Sequence, residues 1–265
     1  MYRGFNISLD KSIISNYETN LIAGNAMFKI KQIPVKESLD YATSNGIISG
    51  DKLKNGWFPE IKADIFISHS HADKDLAVAL ASFLERELGL TCFVDSCVWG
   101  YADNLLKKLN DQYSVLRKEA DGTPIYNHIK ANNACNHVNL ILNSALTDMI
   151  DKTECLFFLN TQNSAPKSKD AIESTTFSPW IYTEINISST IREKTPDRNL
   201  AHAGINKRAA LDSYSESLTI KYPLSLNHLT TMNLKDIKMW EYYCSRTAAS
   251  GVSALDKLYE LHPIK

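Results

Sequence analysis

The run from Asp64 to Asp95 constrains the chain more than any other stretch. Asp64-Ile65-Phe66-Ile67-Ser68 is short and nearly all apolar, the pattern of a strand buried on both faces of a parallel sheet. The polar run Ser68-His69-Ser70-His71-Ala72-Asp73 follows. Leu76, Leu80, Phe83, Leu84 and Leu88 then recur at helical spacing, with Asp73 placed as N-cap. Gly89 supplies the helix stop, and Leu90-Thr91-Cys92-Phe93-Val94-Asp95 reads as a second buried strand. Two parallel strands joined through a helix make a βαβ unit, which commits the chain to layered α/β structure.

The pattern repeats downstream. A helical stretch from Ala102 to Leu116 carries Leu105, Leu106 and Leu109 on one side, and Arg117 to Asn136 is polar around Asp121-Gly122-Thr123-Pro124. Val138, Leu140, Ile141, Leu142, Ala145, Leu146, Met149 and Ile150 predict an apolar helix feeding a third strand, Cys155 to Leu159. After the polar stretch Thr161 to Phe177, another helix begins near Ser178. Three strands alternating with helices predict an open, doubly wound α/β sheet.

The two ends read differently. Asn6 to Asn25 has no clean period, and Lys36 to Asn45 suits one short helix. Gly46, Gly50 and Gly56 then lead to Trp57-Phe58-Pro59. Residues 1–60 are therefore expected to form an N-terminal extension packed on a main domain over 61–265, because Trp57 and Phe58 are costly to leave in water. Near the other end, Leu218, Ile220, Tyr222 and Leu224 alternate like a strand at an edge, where Pro223 limits pairing. Arg192 to Arg208 reads as a solvated loop, and Leu234–Ser245 and Ala254–Leu261 as closing helices.

Apolar residues make up 44% and charged residues 22% of the 265, which excludes a disordered chain. A net charge of -1 gives no global attraction to nucleic acid or acidic lipid. No apolar run approaches the roughly 20 residues of a membrane helix, so neither nucleic acid nor membrane is an expected partner. Met1 to Asn6 has no apolar core or cleavage pattern, so no secretory leader is expected. Five scattered cysteines without a CxxC pair read as reduced thiols of a cytoplasmic protein.

Ligands of doubly wound sheets bind beyond the carboxyl ends of the strands, which singles out three segments and the helix after the third strand. The first is the loop with Ser70 and His71. It reads as a helix cap, as one wall of a small-molecule site whose N–H groups suit phosphate, or as the start of a metal site. The metal-hydrolase version of HxHxD carries a further His where this chain has Lys74. His128, His137, His202, His228 and His262 lack ligand spacing, so no metal is expected. The second segment is Asp95 to Gly100, where Asp95 reads as a cap or ligand contact. Trp99 there reads as an aromatic that closes over a ligand or covers the sheet edge. In Ser178-Pro179-Trp180-Ile181-Tyr182-Thr183-Glu184, Ser178 caps, Pro179 opens the first turn, and Trp180 and Glu184 share one helical face. That pair suits an aromatic, polyhydroxylated ligand, or else a core Trp beside a surface Glu.

The ordered set Asp64 to Ser70, Phe93-Val94-Asp95, Cys155 to Asn160 and Ser178 to Glu184 resembles the Toll/interleukin-1 receptor (TIR) domain family. That family opens on a (Y/A)DxFISxS strand, ends its second strand in Asp before a mobile loop, and carries WxxxE on a helix. The match covers residues 63–187 and is similar to bacterial members, including Thoeris-type anti-phage sensors, many of which cleave NAD+. The resemblance implies a flavodoxin-like doubly wound parallel sheet and an NAD+ glycohydrolase or ADP-ribosyl cyclase in anti-phage defence. It implies Glu184 as the catalytic carboxylate, Trp180 as a pocket wall, and Ser70 and His71 on the diphosphate or ribose side. Asp95 and Trp99 would then shape the loop across the pocket. It implies NAD+ as substrate with no further cofactor, self-association through TIR surfaces and a phage-derived trigger. The alternative is a non-catalytic TIR interaction module. The polar stretch after residue 116 is longer than the family's usual connection, and a fourth strand has no clear sequence signal.

Overall fold

The computed structural model describes residues 1–8, 14, 16–31, 39–40, 43–44, 47–99, 102–166, 174–196 and 220–263. It is an α/β structure whose chain divides into two compact units. One comprises residues 1–31, 61–95 and 149–265, and the other residues 32–60 and 96–148.

The first unit is built on five parallel strands: β1 (Arg3–Ile7), β2 (Ile65–Ser68), β3 (Cys92–Phe93), β4 (Cys155–Leu159) and β5 (Thr230–Met232). They lie in the order β5-β1-β4-β2-β3. Flanking helices are α1 (Tyr17–Lys31), α2 (Lys74–Leu88), α3 (Pro179–Thr190), α4 (Leu234–Thr247) and α5 (Val252–Leu261). Every residue of β2 and β4 is buried, as expected of strands covered on both faces. α2 stops at Gly89, whose φ of 65° lies in the left-handed region, so Leu90 can turn back into the sheet.

The expected N-terminal extension is corrected by β1. Residues 3–7 form a strand inserted between β4 and β5, with Phe5 opposite both Phe157 and Thr230. The Phe5 ring meets Phe157 edge-on at 5.8 Å and stacks on Tyr259 at 6.4 Å. Arg3 is buried beside it. Its guanidinium lies over the Phe5 and Tyr259 rings and donates to Thr230 Oγ1 at 2.8 Å. These contacts give the charged side chain both a polar partner and aromatic faces, which offset the cost of burying it.

Further differences lie in the weakly patterned stretches. β5 has no sequence signal, since three residues are too few to show a period. Of the strand expected around Leu218–Leu224, Tyr222–Pro223 pairs antiparallel with Thr175–Thr176, while residue 218 lies outside the described residues. The short helix expected over 36–45 falls mostly outside them too, and Thr43–Ser44 pairs instead with Ile47–Ile48. Of the loop expected over 192–208, only residues up to 196 are described.

The second unit holds helices Gly50–Trp57, Ala102–Tyr113 and the first part of His128–Lys152. The polar stretch after residue 116 becomes a hairpin, Val115–Lys118 against Pro124–Tyr126, turning through Asp121 and Gly122. The last helix starts ten residues before the apolar run, because Asn127 Oδ1 accepts from the Ile129 and Lys130 amides and caps it. Lys54 pairs with Asp148 at 2.7 Å, and Trp57 and Phe58 are buried.

α1 is seated on α2 through Gly24, where an added Cβ would stand 2.6 Å from Val78 O and 2.7 Å from Val78 Cγ1. On helix propensity alone, Gly24→Ala would stabilise by about 1 kcal/mol. The clash reverses the sign, and we expect a net loss of about 1–3 kcal/mol in urea unfolding. A stabilised variant would mean that α1 is only loosely attached.

Candidate active site

Adjacent strands β2 and β4 send their connections in opposite directions, β2 toward β3 and β4 toward β5. Such a divergence opens a crevice at the carboxyl ends of the strands. The loops leaving both strands are tied together there. Asp73 accepts from Thr161 Oγ1 at 2.5 Å and from Asn163 Nδ2 at 2.7 Å. The sequence places Asp73 as the side-chain cap of α2. It occupies that position but makes no side-chain cap bond, because its carboxylate is committed to the other loop. Ser164 folds the second loop on itself, donating to Leu159 O at 2.5 Å and accepting from Thr161 N at 2.8 Å.

Helix α3 brings Glu184 to this end of the sheet. Ser178 caps it by accepting from Ile181 N, and Pro179 takes the first turn, both as the sequence predicts. Further along, Ser188 Oγ lies 2.8 Å from both Ile185 O and His228 Nε2, bridging α3 to the chain after it. Burial pushes His228 down to about 4, so it meets Ser188 as a neutral ring at neutral pH. The helix carrying Glu184 is thus fixed at both ends.

Glu184 is only 4% exposed, and its Oε2 accepts a 2.5 Å hydrogen bond from the Ser68 hydroxyl, which is fully buried at the end of β2. Burial drives the carboxyl well above its ordinary range, and the negative charge of Asp95 pushes the same way. The Ser68 bond opposes both. Asp95 follows β3, opens the single helical turn Asp95–Val98 and keeps its side chain 34% exposed. His69 Nδ1 lies 3.2 Å from Ile67 O, so it carries the hydrogen, and it stands 3.7 Å from Asp95 Oδ1. The result is a neutral-leaning acid and a carboxylate of different exposure, with an imidazole between strand and carboxylate.

The expected site residues divide accordingly. Glu184 and Asp95 are brought into electrostatic contact. Ser70 is half-buried in the crevice loop with its carbonyl accepting from Asp73 N, and His71 is exposed beside it. Trp180 is half-buried one turn before Glu184 on α3. Trp99, expected to shape a mobile loop, is instead packed within the second unit. Its indole donates to Pro59 O at 2.9 Å, and its ring meets Phe58 edge-on at 5.5 Å. Ser68 and His69 enter the sequence reading only as motif positions, the Ser of FIS and the first His of HxHxD, and Thr161 and Asn163 carry no signal of a role. A serine ending a strand and a polar loop are common, and their partners lie far away in sequence. Among the described residues, no three His, Cys, Asp or Glu side chains gather to hold a metal ion. Nor is any helix among them long and apolar enough to cross a membrane.

Glu184 holds its proton more tightly folded than unfolded, so it contributes stability that is complete below about its ordinary value of 4.5. That contribution falls by about 1.4 kcal/mol per pH unit as the pH rises toward the folded value. Glu184→Gln keeps an acceptor for Ser68 and removes the titration. Its unfolding free energy should therefore match the parent near pH 4.5 and exceed it increasingly as the pH rises above that value. A constant difference over that rise would show that the carboxyl is not held neutral.

Comparison of the chain with protein-family models, with curated proteins and with solved structures found no match. The chemistry assigned to the crevice rests on its own atoms: a buried carboxyl, the hydroxyl that holds it, and a second carboxylate nearby.

Proposed function

We propose that the chain cleaves NAD+ at the bond between nicotinamide and ribose, with Glu184 as the catalytic carboxylate. The observation that carries the reading is the buried Glu184–Ser68 pair at the carboxyl end of a parallel sheet, on a helix that also bears Trp180. The strand order lends support. β3-β2-β4 reproduces the 2-1-3 part of a flavodoxin-like sheet, and β1 and β5 occupy its fourth and fifth places. The departure is that β1 comes from the N-terminal end of the chain. TIR membership remains part of this proposal.

The chemistry needs one carboxylate more than it needs an acid. When the C1′–N bond breaks, its electron pair neutralises the nicotinamide ring, which leaves without being protonated. Positive charge develops on the ribose as an oxocarbenium-like centre. A carboxylate in a shielded site acts most strongly at that moment, because its interaction strengthens as the charge appears. Addition of water gives ADP-ribose and releases a proton, whereas attack by a nucleophile of the same molecule gives a cyclic isomer. Ser70 and His71, on the loop at the start of α2, would face the diphosphate or ribose, and Trp180 would wall the pocket. The proposal includes self-association, so the specific rate should rise with protein concentration.

Nicotinamide release from NAD+, followed by liquid chromatography, tests this directly. Glu184→Ala should lose about 100-fold or more in rate. Ser68→Ala removes the bond that favours the ionised carboxyl, so the acid limb of its pH–rate profile should move to higher pH while activity persists on the alkaline side. No release from folded protein at high concentration, with or without phage-infected lysate, would replace this reading by that of an interaction module.

A further inference from the structure

We propose that the second unit contains a binding site for a small organic anion with an apolar body. A cavity of about 490 Å³ lies wholly within that unit, a size suited to such ligands. Leu53, Leu109 and Ile141 supply its apolar wall. Lys130 and His137, two turns apart on the same helix, stand exposed at its rim, and no Asp or Glu among the described residues lines it. The formal charge on the described lining is therefore positive, which favours an anion over a cation.

A second observation points to the same cavity. Ser114, which follows the helix Ala102–Tyr113, lines it while remaining only 1% exposed, and its buried hydroxyl has no hydrogen-bond partner among the described residues. Its backbone groups are spent, the amide on Asn110 O and the carbonyl on Asn127 N. Buried hydroxyls are normally satisfied, and this one is itself closed off, so a ligand acceptor in the neighbouring cavity gains a bond once the Ser114 side chain turns toward it. Apolar walls and a cationic rim together favour an amphipathic anion, and the hydroxyl, which donates or accepts, adds a polar partner without choosing the charge. The inference is independent of the chemistry proposed at Glu184.

Two dyes that share a ring system test it on the full chain. One is 1-anilinonaphthalene-8-sulfonate, and the other is N-phenyl-1-naphthylamine, which lacks the sulfonate. The sulfonate dye should bind one site with blue-shifted emission. Lys130→Glu, on the exposed rim, should weaken it about tenfold while changing the neutral dye by less than about twofold. Ile141→Trp or Ala134→Trp, each placing an indole in the cavity, should abolish the binding of both. Both positions are half-buried, and the variant that retains the parent's cooperative melting is the one scored. Sulfonate binding that survives a folded blocking variant, or that falls no more than neutral-dye binding in Lys130→Glu, would overturn the site.

Discussion

The sheet depends on the pairing of β1 along both of its edges. β4 and β5 never touch in the ladder, and five residues of the N-terminal segment fill the gap between them. Without that strand, β4 would present a free edge and β5 would have no partner in the sheet. The consequences reach the crevice, because β1 carries Asn6, whose side-chain oxygen accepts from Asn160 Nδ2 at 3.0 Å just beyond β4. That bond belongs to the same connection that Thr161 and Asn163 fasten to Asp73. A segment remote in sequence from Glu184 therefore helps to fix the floor beneath it.

Burial of Arg3 explains why this segment is hard to read. In Arg-Gly-Phe-Asn-Ile the charged Arg3 shares a strand face with Phe5 and Ile7, so the segment shows neither a continuous apolar run nor a clean alternation. In the structure its first four residues include a buried guanidinium that no periodicity rule anticipates. By contrast, β2, β3, α2 and β4 are legible because uninterrupted apolar runs admit few other placements, and the Ser178-Pro179 start of α3 follows from local capping chemistry. Glu184 is legible by spacing and resemblance. Its partner is not, since Ser68 reaches it across 116 residues. Asp73 shows the limit of local reasoning from the other side. It sits at the capping position, yet charge-assisted bonds to a distant loop outweigh the local cap.

The two units satisfy their polar groups differently. In the first, buried polar side chains such as Ser68, Ser164 and Ser188 are bonded to carboxylate, carbonyl or imidazole. Among the described residues of the second, the Trp57 indole nitrogen, Asn110 Oδ1, Ser114 Oγ and Asn143 Oδ1 are buried without hydrogen-bond partners. Each such group costs about 1–3 kcal/mol relative to a satisfied one. A ligand or ordered water that reached even one of them would recover part of that cost.

At Glu184 the same reasoning bears on mechanism. A buried site that raises a carboxyl's proton affinity disfavours the charge on which the proposed chemistry relies, by about 1.4 kcal/mol for every tenfold gain in that affinity. NAD+ brings the compensating positive charge on its nicotinamide ring. On binding, that charge would lower the proton affinity of Glu184, the proton would pass to solvent, and the ionised carboxylate would then face a ribose whose own charge grows as the bond opens. The ground state meets a positive charge one ring away, and the transition state meets it on the sugar itself. Because the interaction grows along the reaction coordinate, it lowers the barrier instead of only tightening substrate binding. Ser68 sets the balance. Its hydroxyl holds the carboxyl in place in either protonation state and strengthens its hold when the charge forms.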